Sequence, residues 1–428
     1  MQPVYIVDGA RTPFLKARGR PGPFAASDLA TAVGSALLAR QSFAASELDE
    51  VILGCASPSV DEVNIGRVVA LRIGCGDKVP GWTVMRNCAS GMQALDSAIV
   101  NIQAGRSQLV LAGGTDALSR TPLLYGDKMV LWFANFSAAR GLGEKARAMS
   151  QFRPGYLAPV IGIVRGLTDS NVGEMMGQTA ENLAYRFAID RDQMDAYAVR
   201  SHQRLMAAVD AHRLDAELVP LYEPNGTVHQ HDDGLRRDSS MTGMAKLKPF
   251  FDKKYGNVTA ANSSQITDGA ACLILASERA VNEHRLQPIA RIVDSHWAAL
   301  DPRQMGLGPV HATAPILARN GLSLNDLDAW EINEAFAAQV LACVAAWADD
   351  AYCRDELGLP AALGKLDDTK LNIDGGAIAL GHPVGASGAR IVLHIAKILE
   401  RTGGRRGIAT ICIGGGQGGA MLIERVPH

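Results

Sequence analysis

A faint internal repeat constrains the fold of this chain more than any other feature. The strand-like run 3–8 is echoed by the run 288–294. In the first half, a helix-like segment that begins at Cys88 leads into an apolar strand ending at Gly114. A corresponding helix and strand in the second half end at Gly414. Because strands alternate with helices in both halves, the pattern predicts a layered α/β fold.

Composition excludes several classes of protein. With 428 residues, of which 47% are hydrophobic, the chain can bury a large core and more than one domain. A net charge of -2 gives no reason to expect a nucleic-acid partner. The seven cysteines are scattered and include no CxxC pair, so we expect reduced thiols in a cytoplasmic compartment and no metal site. The chain starts directly in a strand-like run, so we expect neither a targeting leader nor a transmembrane segment.

Cys88 is the first candidate for a chemical role. It lies between the extended run 81–85 and a helix-like segment with apolar residues at helical spacing. A thiol at the start of a helix faces unpaired backbone N–H groups and the positive end of the helix dipole, which favour the thiolate. The alternative is a small buried hydrophobic residue, the usual role of a free cysteine.

Two glycine-rich segments near the C-terminus strengthen the nucleophile hypothesis. His382 lies between glycine-rich turns, where an imidazole has little apolar surface to pack against. Cys412 ends a β-branched run and enters a run of glycines, where backbone can approach a ligand closely. That glycine run is followed by a strand-like segment rather than a helix, so it predicts a β-hairpin and not a dinucleotide loop. Two cysteines and a histidine in such settings indicate covalent thiol chemistry.

At these residues the chain resembles the thiolase family, over nearly its whole length. Together the motifs are highly specific, although no single one would be. The matching segments are residues 4–14, 86–95, 112–116, 262–271, 331–337, 372–390 and 408–421.

The resemblance implies the thiolase fold, in which two similar layered α/β halves carry a large inserted loop domain. It implies an N-terminal half formed by residues 1–120 and 256–285, a loop domain for coenzyme A at 121–255, and a C-terminal half at 286–428. Catalytic residues from both halves would meet at their interface. A homodimer or homotetramer is expected.

The resemblance also implies the chemistry. Thiolases cleave a 3-ketoacyl-CoA with coenzyme A, or run the reverse condensation. Cys88 would be the nucleophile, His382 its base, and Cys412 the acid that protonates the acetyl-CoA enolate. The backbone N–H groups of Cys88 and Gly414 would bind one oxyanion, and His382 with a water held by Asn333 the other. No metal or permanently bound cofactor is required.

The resemblance implies that coenzyme A is a substrate. Five residues of this chain match family positions that contact it. Many short-chain thiolases have a histidine where this chain has Met175. This difference argues against an enzyme specialised for acetoacetyl-CoA. The expected contact residues are Met176, Ala260, Ser264, Ala335 and Phe336.

Four segments look like the thiolase subunit of fatty-acid-oxidation trifunctional complexes: 152–159, 244–250, 258–264 and 349–365. The first choice is therefore a degradative 3-ketoacyl-CoA thiolase of β-oxidation, with a hydratase/dehydrogenase subunit as a candidate partner. The alternative within the family is an acetyl-CoA acetyltransferase. Outside it stand a decarboxylating ketoacyl synthase, which typically has His or Asn in place of Cys412, and a catalytically silent lipid-binding protein.

Three segments have competing interpretations. Asn333 lies between a strand-like and a helix-like segment, so it is either a catalytic residue or a helix N-cap. The polar run 229–233 suggests a solvated loop rather than a metal site. The apolar side chains around Trp132 and Phe133 either pack inside the loop domain, or line the acyl path or a docking surface for a partner or membrane.

Overall fold

The computed structural model describes residues 2–427. Strands and helices alternate in both halves, which confirms the predicted α/β class. The strands are β1 Val4–Arg11, β2 Leu15–Lys16, β3 Glu50–Gly54, β4 Gly81–Val84, β5 Leu109–Ala117, β6 Leu123–Tyr125, β7 Pro159–Ile161, β8 Leu221–Tyr222, β9 Val228–His229, β10 Thr267–Ser277, β11 Ala290–Ala299, β12 Ala329–Ile332, β13 Arg406–Ile413 and β14 Gln417–Arg425. The helices are α1 Ala26–Leu38, α2 Ile65–Arg72, α3 Ser90–Gln103, α4 Asp127–Ala138, α5 Leu142–Ser150, α6 Gly162–Gly166, α7 Met176–Arg186, α8 Arg191–Asp210, α9 Met241–Met244, α10 Glu278–Glu283, α11 Gly308–Asn320, α12 Ala337–Ala348, α13 Asp350–Asp355, α14 Ala377–Leu380 and α15 Val384–Thr402.

The two halves join along the repeated strands. β1 pairs with β11 in antiparallel register, with Tyr5 opposite Arg291. The strand order across the joined sheet is β12-β13-β14-β11-β1-β10-β5-β3-β4, so each half contributes one side of it. The internal repeat therefore marks two related sheets that meet at their first strands.

The helices form three layers around these sheets. α3 and α15 pack against each other and against inward-facing residues of strands from both halves. α1 and α2 cover the outer face of the first half, and α11 and α12 cover that of the second. The order of layers is therefore helix, sheet, helix, sheet, helix, with the first turns of α3 and α15 at the centre.

The close approach of α3 and α15 depends on glycines. A Cβ on Gly91 would lie 2.7 Å from the carbonyl oxygen of Gly385, and one on Gly388 would lie 2.7 Å from the backbone nitrogen of Met92. Contacts this short with backbone cannot be relieved by a side-chain rotation. The glycines therefore bring the start of α3, which follows Cys88, next to the start of α15, which follows His382.

The insertion within the first half, at residues 121–255, has two structurally different parts. Helices α7 and α8 bury residues such as Leu183 and Tyr197 in the same apolar cluster as α11 and α12. The part from β6 to α6 exposes many apolar side chains. Trp132 does not share this exposure, because it stacks on Phe136 and its indole N–H donates to the carbonyl oxygen of Ala148 at 2.8 Å. The internal-packing interpretation thus holds for Trp132.

A buried ionic network connects the C-terminal part of the insertion, which contains Glu217 and Asp232, to both halves. Arg11 binds Asp232 through two hydrogen bonds of 2.7 and 2.9 Å and binds Glu217 at 2.7 Å. His394 of α15 lies 3.0 Å from Glu217, and the carboxylates of Glu217, Asp374 and Glu331 outweigh the effect of burial and raise the pKa of His394 to about 10. The expectation of a solvated loop at 229–233 is wrong for Asp232, whose carboxylate is buried because it neutralises the buried Arg11.

Among residues 2–427, no helix combines the length and the apolar character needed to cross a bilayer.

Candidate active site

Cys88 lies in a 3-10 turn, Asn87–Ala89, that runs directly into α3. The hydroxyl of Ser90 accepts from the N–H of Arg86 at 2.9 Å and donates to the carbonyl oxygen of Asn87 at 2.7 Å, which closes the turn. Asn87 adopts a left-handed φ of 45°, which asparagine tolerates better than most residues. Its side-chain N–H donates to the carbonyl oxygen of Gly414 at 2.8 Å and so joins the Cys88 turn to the β13–β14 hairpin.

The electrostatics of Cys88 differ from the prediction. The backbone N–H of Cys88 itself interacts with the sulfur and favours the thiolate, as expected for the start of a helix, and the N–H of Gly414 in the β13–β14 hairpin does the same. Burial nevertheless outweighs them and raises the pKa of the Cys88 thiol to about 11. The prediction of a thiolate favoured by its position was wrong, because removing the sulfur from water costs more than the N–H groups return. Cys88 therefore needs a base before it can act as a nucleophile.

His382 has surroundings that suit such a base. Its backbone N–H donates to the carbonyl oxygen of Gln265 at 2.9 Å, and its Nδ1 lies 2.6 Å from the hydroxyl oxygen of Ser387. That hydroxyl donates to the carbonyl oxygen of Pro383 at 3.1 Å, so its oxygen accepts a hydrogen bond from Nδ1–H and Nε2 is left as the basic nitrogen. Nε2 is buried without a partner among the described residues, and burial lowers the pKa of His382 to about 4.

Cys412 and Asn333 lie side by side at the ends of neighbouring strands. Cys412 is near the end of β13, and Asn333 follows β12, which pairs in parallel with β13 so that Ile332 faces Thr410. Burial and the nearby Cys88 hold the pKa of the Cys412 thiol well above its usual range. Cys412 is therefore a proton-bearing thiol at neutral pH, as an acid must be. The hairpin predicted after it is present as β13 and β14.

The side chain of Asn333 is buried with both amide atoms unpaired among residues 2–427. Its neighbour Glu334 accepts hydrogen bonds from Tyr197 at 3.0 Å and Ser201 at 2.7 Å, which fixes the loop from α8. The helix that follows begins only at Ala337, so Asn333 is not its N-cap and that alternative was wrong. A buried amide without a partner is costly unless a ligand or water satisfies it.

A mostly apolar cavity of about 150 Å³ brings the candidates together. Cys88, His382 and Cys412 all line it, which unites the first half, the second half and the hairpin at one point. Four of the five residues expected to contact coenzyme A also line it, and Ala260 lies outside it on the surface. Gly414 lines an adjoining cavity that shares Cys88. The four that line the first cavity are Met176, Ser264, Ala335 and Phe336.

The sequence analysis missed several residues of this site. Ser387 orients His382, and its only sequence signal is a hydroxyl one helical turn after a histidine in a glycine-rich segment. Asp116 accepts from the backbone N–H of Gly385 at 2.5 Å and of Ser57 at 2.9 Å, which anchors the His382 segment to β5. Phe251 and Met305 line the cavity from distant parts of the chain, and no local pattern marks them.

Asn333→Ala is expected to lower kcat about 10²- to 10³-fold, as loss of one oxyanion-stabilising donor does. Because the amide makes no hydrogen bond with any residue between 2 and 427, the thermal unfolding temperature should change little. Steady-state kinetics and thermal unfolding measure both quantities.

Asn372→Ala is the matched control. Its amide bonds the backbone of Ile332 on both sides at 2.9 Å and supports the same loop. Its removal is expected to cost about 1–3 kcal/mol of stability. A sharp loss of stability in Asn333→Ala with kcat preserved would contradict a catalytic role for Asn333.

The chain matches two protein-family descriptions. These are Thiolase, N-terminal domain, over residues 4–279, and Thiolase, C-terminal domain, over residues 286–425. It is 37% identical to the mitochondrial trifunctional enzyme subunit beta of Bos taurus, over 99% of this chain and 88% of that one. It is 40% identical to the beta-ketoadipyl-CoA thiolase of Pseudomonas aeruginosa, over 99% of each. The crystal structure of human mitochondrial 3-ketoacyl-CoA thiolase in complex with CoA has a TM-score of 0.84 and 35% identity, with 100% and 98% of the two chains covered.

Proposed function

The chain belongs to the thiolase family, and from that premise we propose that it is a 3-ketoacyl-CoA thiolase of fatty-acid degradation. It is an acyltransferase that acts on acyl-CoA thioesters, which sets aside the ketoacyl synthase and lipid-binding alternatives. The observation that carries the proposal is the single cavity lined by two thiols with raised pKa values and one histidine with a lowered pKa.

Each side chain then has a role in carbon–carbon bond cleavage. His382 Nε2 takes the proton of the Cys88 thiol, and the sulfur bonds to the keto carbon of the substrate. The bond between the α and keto carbons breaks, and its electron pair forms the acetyl-CoA enolate. Cys412 gives its proton to the enolate carbon and releases acetyl-CoA. The protonation states above fit this order, because a neutral histidine and a protonated Cys412 are both needed at the start.

The second half-reaction restores both thiols. Coenzyme A attacks the acyl-Cys88 thioester, and its thiol proton passes to the Cys412 thiolate. The carbon–sulfur bond to Cys88 breaks, and Cys88 recovers its proton from His382. The backbone N–H groups of Cys88 and Gly414 lie where they would stabilise the acyl oxyanion, since both interact with the Cys88 sulfur.

Coenzyme A enters this scheme as a substrate in the 150 Å³ cavity. The apolar side chains of Met176, Phe251 and Phe336 suit the pantetheine arm, with Ser264 as a polar contact. Helices α7 and α8 belong to the proposed coenzyme A domain at 121–255. Because they pack against the second half, the side of the cavity that Met176 lines is held in place.

Degradation of longer ketoacyl chains is favoured over acetoacetyl-CoA chemistry by Met175. This thioether lines the cavity where many short-chain thiolases have a histidine. The test is thiolysis of a series from acetoacetyl-CoA to 3-ketoacyl-CoA substrates with long chains. We expect kcat/KM to rise beyond acetoacetyl-CoA, and activity confined to acetoacetyl-CoA would instead identify an acetyl-CoA acetyltransferase.

The exposed apolar surface of α4 is proposed to dock a hydratase/dehydrogenase subunit. The relative of this chain from Bos taurus is named as a subunit of a trifunctional enzyme. Val130, Leu131 and Phe133 are 56%, 63% and 42% exposed within four residues of α4, and a cluster of exposed apolar side chains of this kind marks an interaction surface. All seven cysteines are free thiols, which supports a reducing compartment such as the cytoplasm.

Replacing Leu131 and Phe133 together with Gln should weaken co-elution with a purified hydratase/dehydrogenase subunit at least about tenfold in Kd. Short-chain thiolysis should persist, since neither side chain lines the two cavities around Cys88. Tyr222→Gln is the control, because it changes an exposed aromatic side chain in a different element, β8. Unchanged subunit affinity with lost sedimentation on anionic liposomes would assign this surface to a membrane instead.

A further inference from the structure

A second cavity adjoins Cys88 and is not used by the proposed coenzyme A site. It has a volume of about 590 Å³ and extends past Asn87 and Gly414 towards α6 and the segment that follows it. It shares with the first cavity an apolar collar of Leu118, Ile163, Leu167, Met176 and Val384 around the sulfur. With pantetheine in the first cavity, as proposed above, the second cavity is the remaining space beside the sulfur for the acyl chain.

Beyond the collar, the walls of this second cavity are polar. Hydroxyl and amide side chains replace the aliphatic ones that a long hydrocarbon tail would need. These side chains are Ser57, Thr121, Thr168, Ser170, Asn171 and Gln417. A purely aliphatic acyl chain reaching this part of the cavity would desolvate polar groups without replacing their hydrogen bonds.

Two charged side chains, Asp169 and Arg165, line the second cavity, and only one of them is free to bind a ligand. Asp169 is buried, and its carboxylate already accepts the backbone N–H groups of Asn171 at 2.8 Å and Val172 at 3.1 Å. Arg165 at the end of α6 is exposed and makes no side-chain hydrogen bond or ion pair with any residue between 2 and 427. It is therefore a guanidinium without a partner among these residues, on the wall of the cavity that Cys88 also lines, and guanidinium groups bind carboxylates well.

We propose that the acyl chain of the preferred substrate ends in a carboxylate, which Arg165 binds, so that the enzyme cleaves 3-ketoacyl-CoA thioesters of dicarboxylic acids. This inference rests on the proposed function and specifies its substrate class. The methylene groups next to the reacting carbonyl contact the apolar collar, and the terminal carboxylate replaces water at Arg165. The bonds made and broken at Cys88 stay as described above.

The test compares pairs of substrates that differ only at the chain end. 3-Oxoadipyl-CoA is matched with 3-oxohexanoyl-CoA, and longer pairs of equal carbon number follow. The measured quantity is the preference, defined as the ratio of kcat/KM for the dicarboxylic member to kcat/KM for the monocarboxylic one. We expect a preference of about fivefold or more in at least one pair, consistent with a partly exposed charge-assisted hydrogen bond.

Three variants locate the origin of that preference. Arg165→Gln should remove it, Arg165→Lys should retain most of it, and Arg147→Gln should leave it unchanged. Arg147 is a matched control, an exposed arginine of α5 in the same insertion that lines neither cavity. The preference is a ratio, so it separates carboxylate binding from a general loss of folding.

The outcomes are distinguishable. Thiolysis of both substrates without a preference, or a preference retained in Arg165→Gln, would overturn this inference and leave the proposed function standing. An increase in KM for coenzyme A with both substrates would show that Arg165 binds the phosphates of coenzyme A and would also overturn it. No thiolysis of either substrate would contradict the proposed function itself.

Discussion

Cys88→Ser is expected to lower kcat for thiolysis by about 10⁴- to 10⁶-fold, the loss seen when a nucleophile is removed. A serine hydroxyl is a far weaker nucleophile near neutral pH, and burial already raises the pKa of the native thiol to about 11. The acyl-enzyme should disappear as well. Intact-protein mass spectrometry after mixing with acyl-CoA measures that adduct directly, and steady-state thiolysis measures kcat.

Two other cysteine variants give this experiment its contrast. Cys412→Ser should slow turnover, since the enolate loses its acid, but should still form an acyl adduct on Cys88. Cys353→Ser changes a buried thiol whose S–H points to the carbonyl oxygen of Ala346, away from the cavity, and should keep full activity. A stable acyl group on Cys412 with Cys88 unmodified would reverse the assignment of nucleophile and acid.

His382→Ala should reduce kcat/KM by about 10⁴-fold or more, because it removes the general base and an oxyanion donor together. The pH profile should change as well. In the native enzyme the pKa of His382 is about 4, so the base is neutral at higher pH and activity should fall only as the pH drops towards 4. In the variant, the residual rate should rise with pH towards about 11, where the Cys88 thiol ionises without help.

Ser387→Ala provides a graded comparison. It removes the hydroxyl that fixes Nδ1 of His382 and should cost about tenfold in kcat, an effect typical of a partner that orients a base. Initial rates between pH 4 and pH 10 for the native enzyme and both variants provide the measurement. A His382→Ala enzyme that retains more than a tenth of the native kcat/KM, with an unchanged pH profile, would show that another group deprotonates Cys88.

Local patterns along the chain were sufficient for the secondary structure near the site. The glycine run after Cys412 predicted the hairpin of β13 and β14, and helical spacing predicted α3. The repeat of the run 3–8 at 288–294 predicted related halves, and the pairing of β1 with β11 is its outcome. These features depend on neighbours close in the chain, so periodicity and turn residues are enough to detect them.

The pKa of Cys88 was mispredicted because the sequence shows only part of its surroundings. The helix start is visible locally, and the backbone N–H of Cys88 that it implied does interact with the sulfur, whereas the N–H of Gly414 comes from a hairpin remote in sequence. The burial that outweighs them comes from side chains such as Leu118 and Val384, which are remote in sequence. Desolvation is a property of the assembled cavity, and its sign could not be read from residues 81–95.

The sequence by itself named the side chains that are proposed to carry the chemistry: motifs and the resemblance they support pointed to Cys88, His382, Cys412 and Asn333. Only the tertiary structure decided their surroundings. Among residues 2–427 it left the amide of Asn333 without a hydrogen-bond partner, placed Nδ1 of His382 against Ser387 so that Nε2 is free, and brought Cys88 and His382 to one cavity by the glycine contact of α3 and α15. The physical reason is that reactivity depends on desolvation and on hydrogen-bond partners, and here both come from residues far apart in the chain.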